Sequence, residues 1–288
     1  MGDNNFKNYE EVIAGFNKIL KNNPTDEAAY ILRGLAYQDK GSYDKVIADL
    51  TKALELKPDD ASAYFNRGNA YYYKGKYDCA VEDFTKFLEL KPDGMEGYFN
   101  RGNAYADKGD YDKAIADFTK FLTANPEDVD GYANRGNTYV DKGDCDKAIA
   151  DYTKALELDS DYVDVYNNRG NAYYYEGDLD SAIADFTTAI KLDSNNLEAY
   201  NNRGLAYTDK GKFDEAIIDF TKALKLDEQD STAYYSRGVA YAAKDDYVNA
   251  AADFKRAVKI NPNHIEARMA LKEARKKIAE VASENINR

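Results

Sequence analysis

Asn66 and Asn69 stand three residues apart, and the pair returns as Asn100 and Asn103, as Asn134 and Asn137, and as Asn168 and Asn171, with Asn202 opening a fifth set. The interval is 34 residues each time. Residues three apart share one face of a helix, so these nine carboxamides form a stripe wherever the segments that carry them are helical. A carboxamide offers two donors and an acceptor, and a row of them can grip an extended peptide backbone without regard to its side chains. Four positions beyond the second Asn, the stripe continues as Tyr73, Asp107, Asp141 and Tyr175, with Asp39 and Asp209 in the same column. Its other end carries Glu96, Asp130, Asp164 and Glu198, and no Lys falls on it. Such a surface suits a basic or polar peptide. The alternative is that the Asn side chains solvate their helix or bond to neighbouring helices. Asn is a poor helix former, so its confinement to one stripe needs a reason in either case.

Catalysis finds no comparable support. His264 is the one histidine and shares a bend column with Asp60, Asp128 and Asp230, which makes it a loop residue rather than a base or ligand. Cys79 falls in a column with Lys45, Lys113 and Lys147 and is expected to be exposed, whereas Cys145 replaces Tyr43, Tyr77 and Tyr111 and is expected to be partly packed. The two cysteines lie nearly two repeats apart, beyond disulfide reach, and are expected to be free thiols. Carboxylates are plentiful but periodic, whereas an active site needs a unique constellation. The chain is therefore expected to be non-catalytic, with no cofactor and no metal.

The 288 residues carry a net charge of -13, which repels a phosphate backbone, so nucleic acid is not an expected partner. No segment has the 18 or so apolar residues of a membrane span, and Met1 to Phe6 has neither the basic start nor the apolar run of a secretory signal. The expected address is cytoplasmic, with no membrane partner and with the monomer as the favoured state.

The elements that hold the stripe are themselves periodic. The dipeptide Arg-Gly recurs at Arg33, Arg67, Arg101, Arg135, Arg169, Arg203 and Arg237, which defines seven units: 27–60, 61–94, 95–128, 129–162, 163–196, 197–230 and 231–264. Residues 1–26 align with the second half of a unit and 265–288 with a first half. Within a unit, Tyr64, Gly68 and Tyr71 recur at the spacing of one helical face until Lys74-Gly75-Lys76 breaks the pattern. A second apolar series, Tyr77, Ala80, Val81, Phe84, Phe87 and Leu88, stops before Pro92. Each unit is thus a helical hairpin, which cannot bury its apolar stripe alone and must stack on its neighbours.

The string Ala63-Tyr64-Phe65-Asn66-Arg67-Gly68-Asn69-Ala70-Tyr71, followed by Gly75, Tyr77, Ala80, Phe84 and Pro92, resembles the tetratricopeptide repeat family, whose motif is also 34 residues long. The resemblance covers essentially the whole chain. Tyr stands where the family often has Trp, and the Arg67 column stands where it usually has Leu. What the resemblance implies is an all-α, right-handed superhelical solenoid whose first helices line a concave groove that binds peptides or partner proteins. The Asn stripe then lies in that groove, where it is similar to the asparagine ladder in the repeat domain of O-linked N-acetylglucosamine transferase. Members that dock the acidic tails of chaperones use a clamp of Lys, Asn and Arg, and the Lys columns are absent here. The implied function is a protein-protein interaction adaptor. The alternative is an assembly scaffold that engages folded partners through the convex face or the ends.

Three packing expectations follow. The Arg column shares every unit with Asp49, Asp83, Asp117, Asp151, Asp185, Asp219 and Asp253, and a semi-buried Arg–carboxylate ladder is expected. Phe87 and Phe121 replace Ala in their column and are each followed ten residues later by a glycine, Gly97 and Gly131, which replaces a larger residue; each ring is expected to occupy the space of the absent Cβ. In the last helix Ala267, Ala270, Leu271, Ala274, Ile278 and Val281 form an apolar face and Arg268, Lys272, Arg275, Lys276 and Lys277 cover the rest, as a cap on the stack requires. Charge also changes along the chain: units 129–162 and 163–196 each sum to -4, whereas 231–288 sums to +4.

Overall fold

The computed structural model describes residues 6–286, with side chains from Tyr9 to Ser283. Among these residues there are sixteen α-helices and no strand. The chain divides into two compact units, Met1–Gly143 and Asp144–Arg288. The first holds α1 (Phe6–Asn22), α2 (Glu27–Asp39), α3 (Tyr43–Leu56), α4 (Ala61–Tyr73), α5 (Tyr77–Leu90), α6 (Met95–Lys108), α7 (Tyr111–Ala124) and α8 (Val129–Lys142). The second holds α9 (Cys145–Leu158), α10 (Val163–Tyr175), α11 (Leu179–Leu192), α12 (Leu197–Asp209), α13 (Phe213–Leu226), α14 (Ser231–Ala243), α15 (Tyr247–Ile260) and α16 (Ile265–Ile286). Even-numbered helices are the first helices of the sequence repeat, and odd-numbered helices are the second.

Helix starts follow from capping. Asp60 Oδ1 accepts from Ala63 N at 2.9 Å, and Asp26, Asp128, Asn196 and Asp230 cap α2, α8, α12 and α14 in the same way. His264 continues that column at the start of α16, where Ala267 N donates to its Nδ1 at 3.4 Å. The turn from first to second helix needs a left-handed residue, as at Gly109 with φ 89°.

The α2–α3 hairpin closes on Leu50 beside Gly34, and most of the others close on an aromatic wedge. In the first unit Phe84 is fully buried with Ala80 and Ala104, and a Cβ on Gly68 would lie 2.8 Å from its ring. In the second unit Phe186 and Phe220 pack the same way beside Gly170 and Gly204. Gly68, Gly102, Gly170, Gly204 and Gly238 of the Arg-Gly pairs are therefore close-approach residues.

The arginine beside it ties hairpins together. Arg67 Nε and Nη2 donate to the two Asp83 oxygens, both at 2.7 Å, and Nη1 donates to Thr51 Oγ1 of the preceding hairpin at 3.0 Å. The Tyr64 and Tyr71 rings lie 5.6 and 5.9 Å from the guanidinium carbon. The expected Arg–Asp ladder is present at Arg33–Asp49, Arg67–Asp83 and Arg101–Asp117 in one unit, and at Arg169–Asp185, Arg203–Asp219 and Arg237–Asp253 in the other, with Asn17 in place of the threonine as the Nη1 partner of Arg33. Burial pushes the Asp83 and Asp219 carboxyls up even though the arginines pull the other way.

Two side-chain expectations need correction. Cys79 is half-buried rather than exposed, because the end of α6, Asp107 and Lys108, closes over the first turn of α5. The apolar face of α16 stops short of Val281: Ala267 and Ala274 are buried against the preceding hairpin, whereas Val281 is 52% exposed because α15 does not reach that far.

Candidate functional site

Within each unit, successive first helices touch, α2 with α4, α4 with α6, α6 with α8, α10 with α12 and α12 with α14, so they form a continuous inner face. The Asn stripe lies on it. In the first unit Asn100 Nδ2 donates to Asn69 Oδ1 at 2.9 Å, and Asn134 Nδ2 donates to Asn103 Oδ1 at 3.2 Å. These four residues make two carboxamide rungs between neighbouring first helices. Asn66 turns back to its own helix, with Nδ2 on the Ser62 carbonyl at 2.9 Å. Asn137 is exposed, and Asn168, Asn171 and Asn202 are half-buried on the first helices of the second unit. A rung consumes one amide hydrogen and one lone pair of each pair of carboxamides, and the remaining hydrogens and lone pairs stay available to a ligand. Bonding between helices and presentation of hydrogen-bonding groups are therefore compatible roles.

Beside the second rung lies a pocket of about 330 Å³, lined by Tyr72, Asn103, Ala106, Asp107, Phe118, Asn134, Asn137, Thr138 and Asp141. Asp107 and Asp141, both exposed, stand at its rim. Burial, reinforced by a hydrogen bond to Asp107, holds the Tyr72 hydroxyl well above its usual range, so the phenol is a donor at any ordinary pH. The second unit repeats this contact: Tyr174 Oη donates to Asp209, and burial together with that carboxylate pushes Tyr174 up to about 12.

The outermost stripe residues are aromatic as well as acidic. Tyr73 is 63% exposed and stacks on Tyr43, with ring centroids 5.3 Å apart and planes 18° apart. Tyr175 is 71% exposed and meets Tyr174 edge-on. The lysines that follow the stripe aspartates turn away from it. Lys108 bonds Asp78 at 2.7 Å and Lys142 bonds Asp112 at 2.5 Å, each on the second helix of the preceding hairpin. Lys74–Asp44, Lys210–Asp180 and Lys244–Asp214 repeat the arrangement. Glu176 takes the lysine place once, and burial with that carboxylate pushes the Cys145 thiol up.

Five residues picked out by spacing alone, Asn103, Asn134, Asn137, Asp107 and Asp141, therefore meet at one pocket, whereas Asn66, Asn69, Asn100 and Tyr73 lie outside its walls. Spacing misses Tyr72, one position off the stripe. Its signal is the separation of 35 residues from Asp107, which Tyr174 and Asp209 share.

Family models for the tetratricopeptide repeat match at residues 34–75, 136–175 and 170–210, at 65–129, and at 197–230 and 231–264. Among solved structures, that of MamA is 31% identical, with a TM-score of 0.56, over 58% of this chain and 92% of that one. YrrB, described as a TPR protein with an unusual peptide-binding site, is 27% identical, with a TM-score of 0.58, over 67% of this chain and 99% of its own. A tetratricopeptide repeat protein from Parabacteroides merdae, 24% identical with a TM-score of 0.65 over 86% and 98%, shares the fold. No protein of curated function matches the sequence. Among the described residues no helix is long and apolar enough to cross a membrane.

Proposed function

Because the chain belongs to the tetratricopeptide repeat family, whose members mediate protein–protein interactions, we propose that it is a non-catalytic adaptor holding an extended polypeptide segment along the inner face of its first helices. The observation that carries this reading is the convergence of Asn103, Asn134, Asn137, Asp107 and Asp141 on one pocket beside the carboxamide rungs. First helices pack about 8 to 10 Å apart, and an extended strand rises about 3.3 Å per residue. Successive rungs therefore meet such a strand at roughly every third residue, and the spare amide hydrogens and lone pairs bond its backbone. Exposed Tyr73 and Tyr175 add flat apolar contact, and the stripe carboxylates select basic or polar side chains. The peptide-binding site described for YrrB supports the same reading.

The test is binding of fluorescein-labelled pools of random twelve-residue peptides. Replacing Asn69 and Asn100 together by Ala removes a whole rung and leaves neither carboxamide without its partner. Affinity should fall about tenfold with helicity unchanged. Undiminished binding would move the peptide to another surface and defeat the proposal.

A further inference from the structure

We infer that the pocket between α4, α6 and α8 is a subsite for one arginine side chain of the bound segment. This rests on the peptide-binding reading above and adds the identity of the residue that the segment must present.

The first argument is charge. Asp107 and Asp141 face the same pocket, and among the described residues neither has a cationic partner. The nearest candidates in sequence, Lys108 and Lys142, are committed to Asp78 and Asp112 outside it. Among the described residues the two carboxylates are therefore uncompensated, and a cation brought by a ligand is attracted by both.

The second argument is shape and chemistry. Tyr72 lines the same pocket, its hydroxyl bonded to Asp107 and its ring held beside those of Tyr73 and Tyr77. Acceptors are spread over several positions: the two carboxylates, and the Asn103 carbonyl oxygen, which receives Asn134 on one side and keeps a second lone pair. A guanidinium, flat and with five donors in a fixed fork, can meet acceptors so dispersed, whereas an ammonium is a compact point charge.

The third argument is that the site is not periodic. The second unit keeps the equivalent Tyr174–Asp209 bond, but Leu205, Ser236, Val239 and Ala243 occupy the places of Asn103, Asn134, Asn137 and Asp141. One repeat earlier in the first unit, Gln38 and Tyr73 stand in the places of Tyr72 and Asp107. The pair of carboxylates, the ring and the carboxamides coincide at one position, so a bound segment is anchored there in a single register.

The experiment uses four peptide pools with random flanks and a fixed central residue: Arg, Lys, citrulline or Glu. The natural chain should bind the Arg pool at least tenfold more tightly than the citrulline pool, which has the same shape without the charge, and more tightly than the Lys pool. Asp107→Asn with Asp141→Asn, both at exposed positions, should erase the Arg advantage by weakening the Arg pool at least tenfold more than the citrulline pool, whereas Asp209→Asn should leave the advantage intact. Equal binding of the Arg and citrulline pools, still weakened by the Asn69 and Asn100 replacements, would overturn the arginine subsite and leave the peptide groove standing. An Arg preference that survives the double Asp replacement would overturn it too, and a Lys pool that matches the Arg pool would overturn the guanidinium assignment. Absence of binding by every pool would overturn subsite and groove together.

Discussion

Arg101 holds Asp117 by both edges of its fork, Nε to one carboxylate oxygen at 2.7 Å and Nη2 to the other at 2.9 Å, while Nη1 reaches Thr85 on α5 at 3.1 Å. One guanidinium thus joins the two helices of its own hairpin to the hairpin before it, between the rings of Tyr98 and Tyr105. Asp117→Ala leaves a largely buried cation unpaired and should cost about 3 kcal/mol, whereas Arg101→Met combined with Asp117→Leu should cost much less, because the desolvation of both charges is removed as well. Urea unfolding of the natural chain, Arg101→Met, Asp117→Leu and the double variant measures the coupling. A coupling energy near zero would refute the ladder as a cooperative contact.

Acid sensitivity should come from the Asp60 cap rather than from the Asp83 carboxylate of this ladder. The Asp83 carboxyl is raised by burial, so the folded chain binds that proton more readily than the unfolded chain does, and lowering the pH does not weaken the fold through it. Asp60 goes the other way: burial opposes the shift, but the Ala63 amide and Lys57 outweigh it and hold the carboxyl below its ordinary value. Its contribution is present above about pH 4 and is lost as pH falls through the lower, folded-state pKa. Asp60→Asn keeps a capping oxygen without the charge. The variant should be less stable than the natural chain at pH 7, and the two should converge below about pH 3 in unfolding midpoints taken against pH. A gap that persists at pH 2 would contradict the assignment.

The hairpins, the Arg–Asp pairing and the face that carries the Asn stripe are legible in the sequence because each repeats at one interval, so a column reveals its own periodicity. Contacts between hairpins are harder to read. Thr51 lies 16 residues before Arg67, as Asp83 lies 16 after it, yet a threonine on a helix surface gives no sign of a partner in the next hairpin. Tyr72 is hidden for a similar reason, since its column changes residue type in almost every repeat and its role depends on an aspartate in the following one. The Asn rungs show a limit of another kind. Spacing identifies which carboxamides share a face, but whether Asn100 spends a hydrogen on Asn69 depends on how closely two helices approach.

Asp245 occupies the turn position that glycine holds at Gly41, Gly75, Gly109, Gly143, Gly177 and Gly211, and it has the same left-handed backbone with φ 59°. A side chain there costs about 1 to 2 kcal/mol, offset in part by the exposed bond that the Tyr247 hydroxyl donates to Asp245 Oδ1 at 2.8 Å. Asp245→Gly should therefore stabilise the chain by about 0.5 to 1 kcal/mol, whereas Asp245→Val should destabilise it by more than that. Thermal and urea midpoints of the three proteins decide the matter, and a destabilised glycine variant would mean that the tyrosine bond dominates the turn.

The exchange of volume between neighbouring hairpins gives the sharpest packing prediction. A Cβ on Gly97 would stand 2.4 Å from Phe87 Cδ1 and 2.5 Å from Cε1, and one on Gly131 would stand 3.0 Å from Phe121 Cε1 and 2.7 Å from Leu122 Cδ2. Phe65 and Phe99 pack on the same two rings, with centroids 5.0 Å apart in both cases, so neither ring can swing aside without displacing another. Gly94 also lies against Phe87, at 2.6 Å from its would-be Cβ, and extends the exchange to the cap of α6. Gly97→Ala should improve helix propensity by up to about 1 kcal/mol, yet the overpacking cost of about 1 to 3 kcal/mol should prevail, so the net change should be destabilising. Phe87→Ala alone leaves a cavity and should cost about 3 to 5 kcal/mol. The two together should cost less than their sum, because the new methyl group enters the space that the ring vacates. Strict additivity in urea unfolding would show that Phe87 and Gly97 pack independently and would remove the explanation for their occurring together.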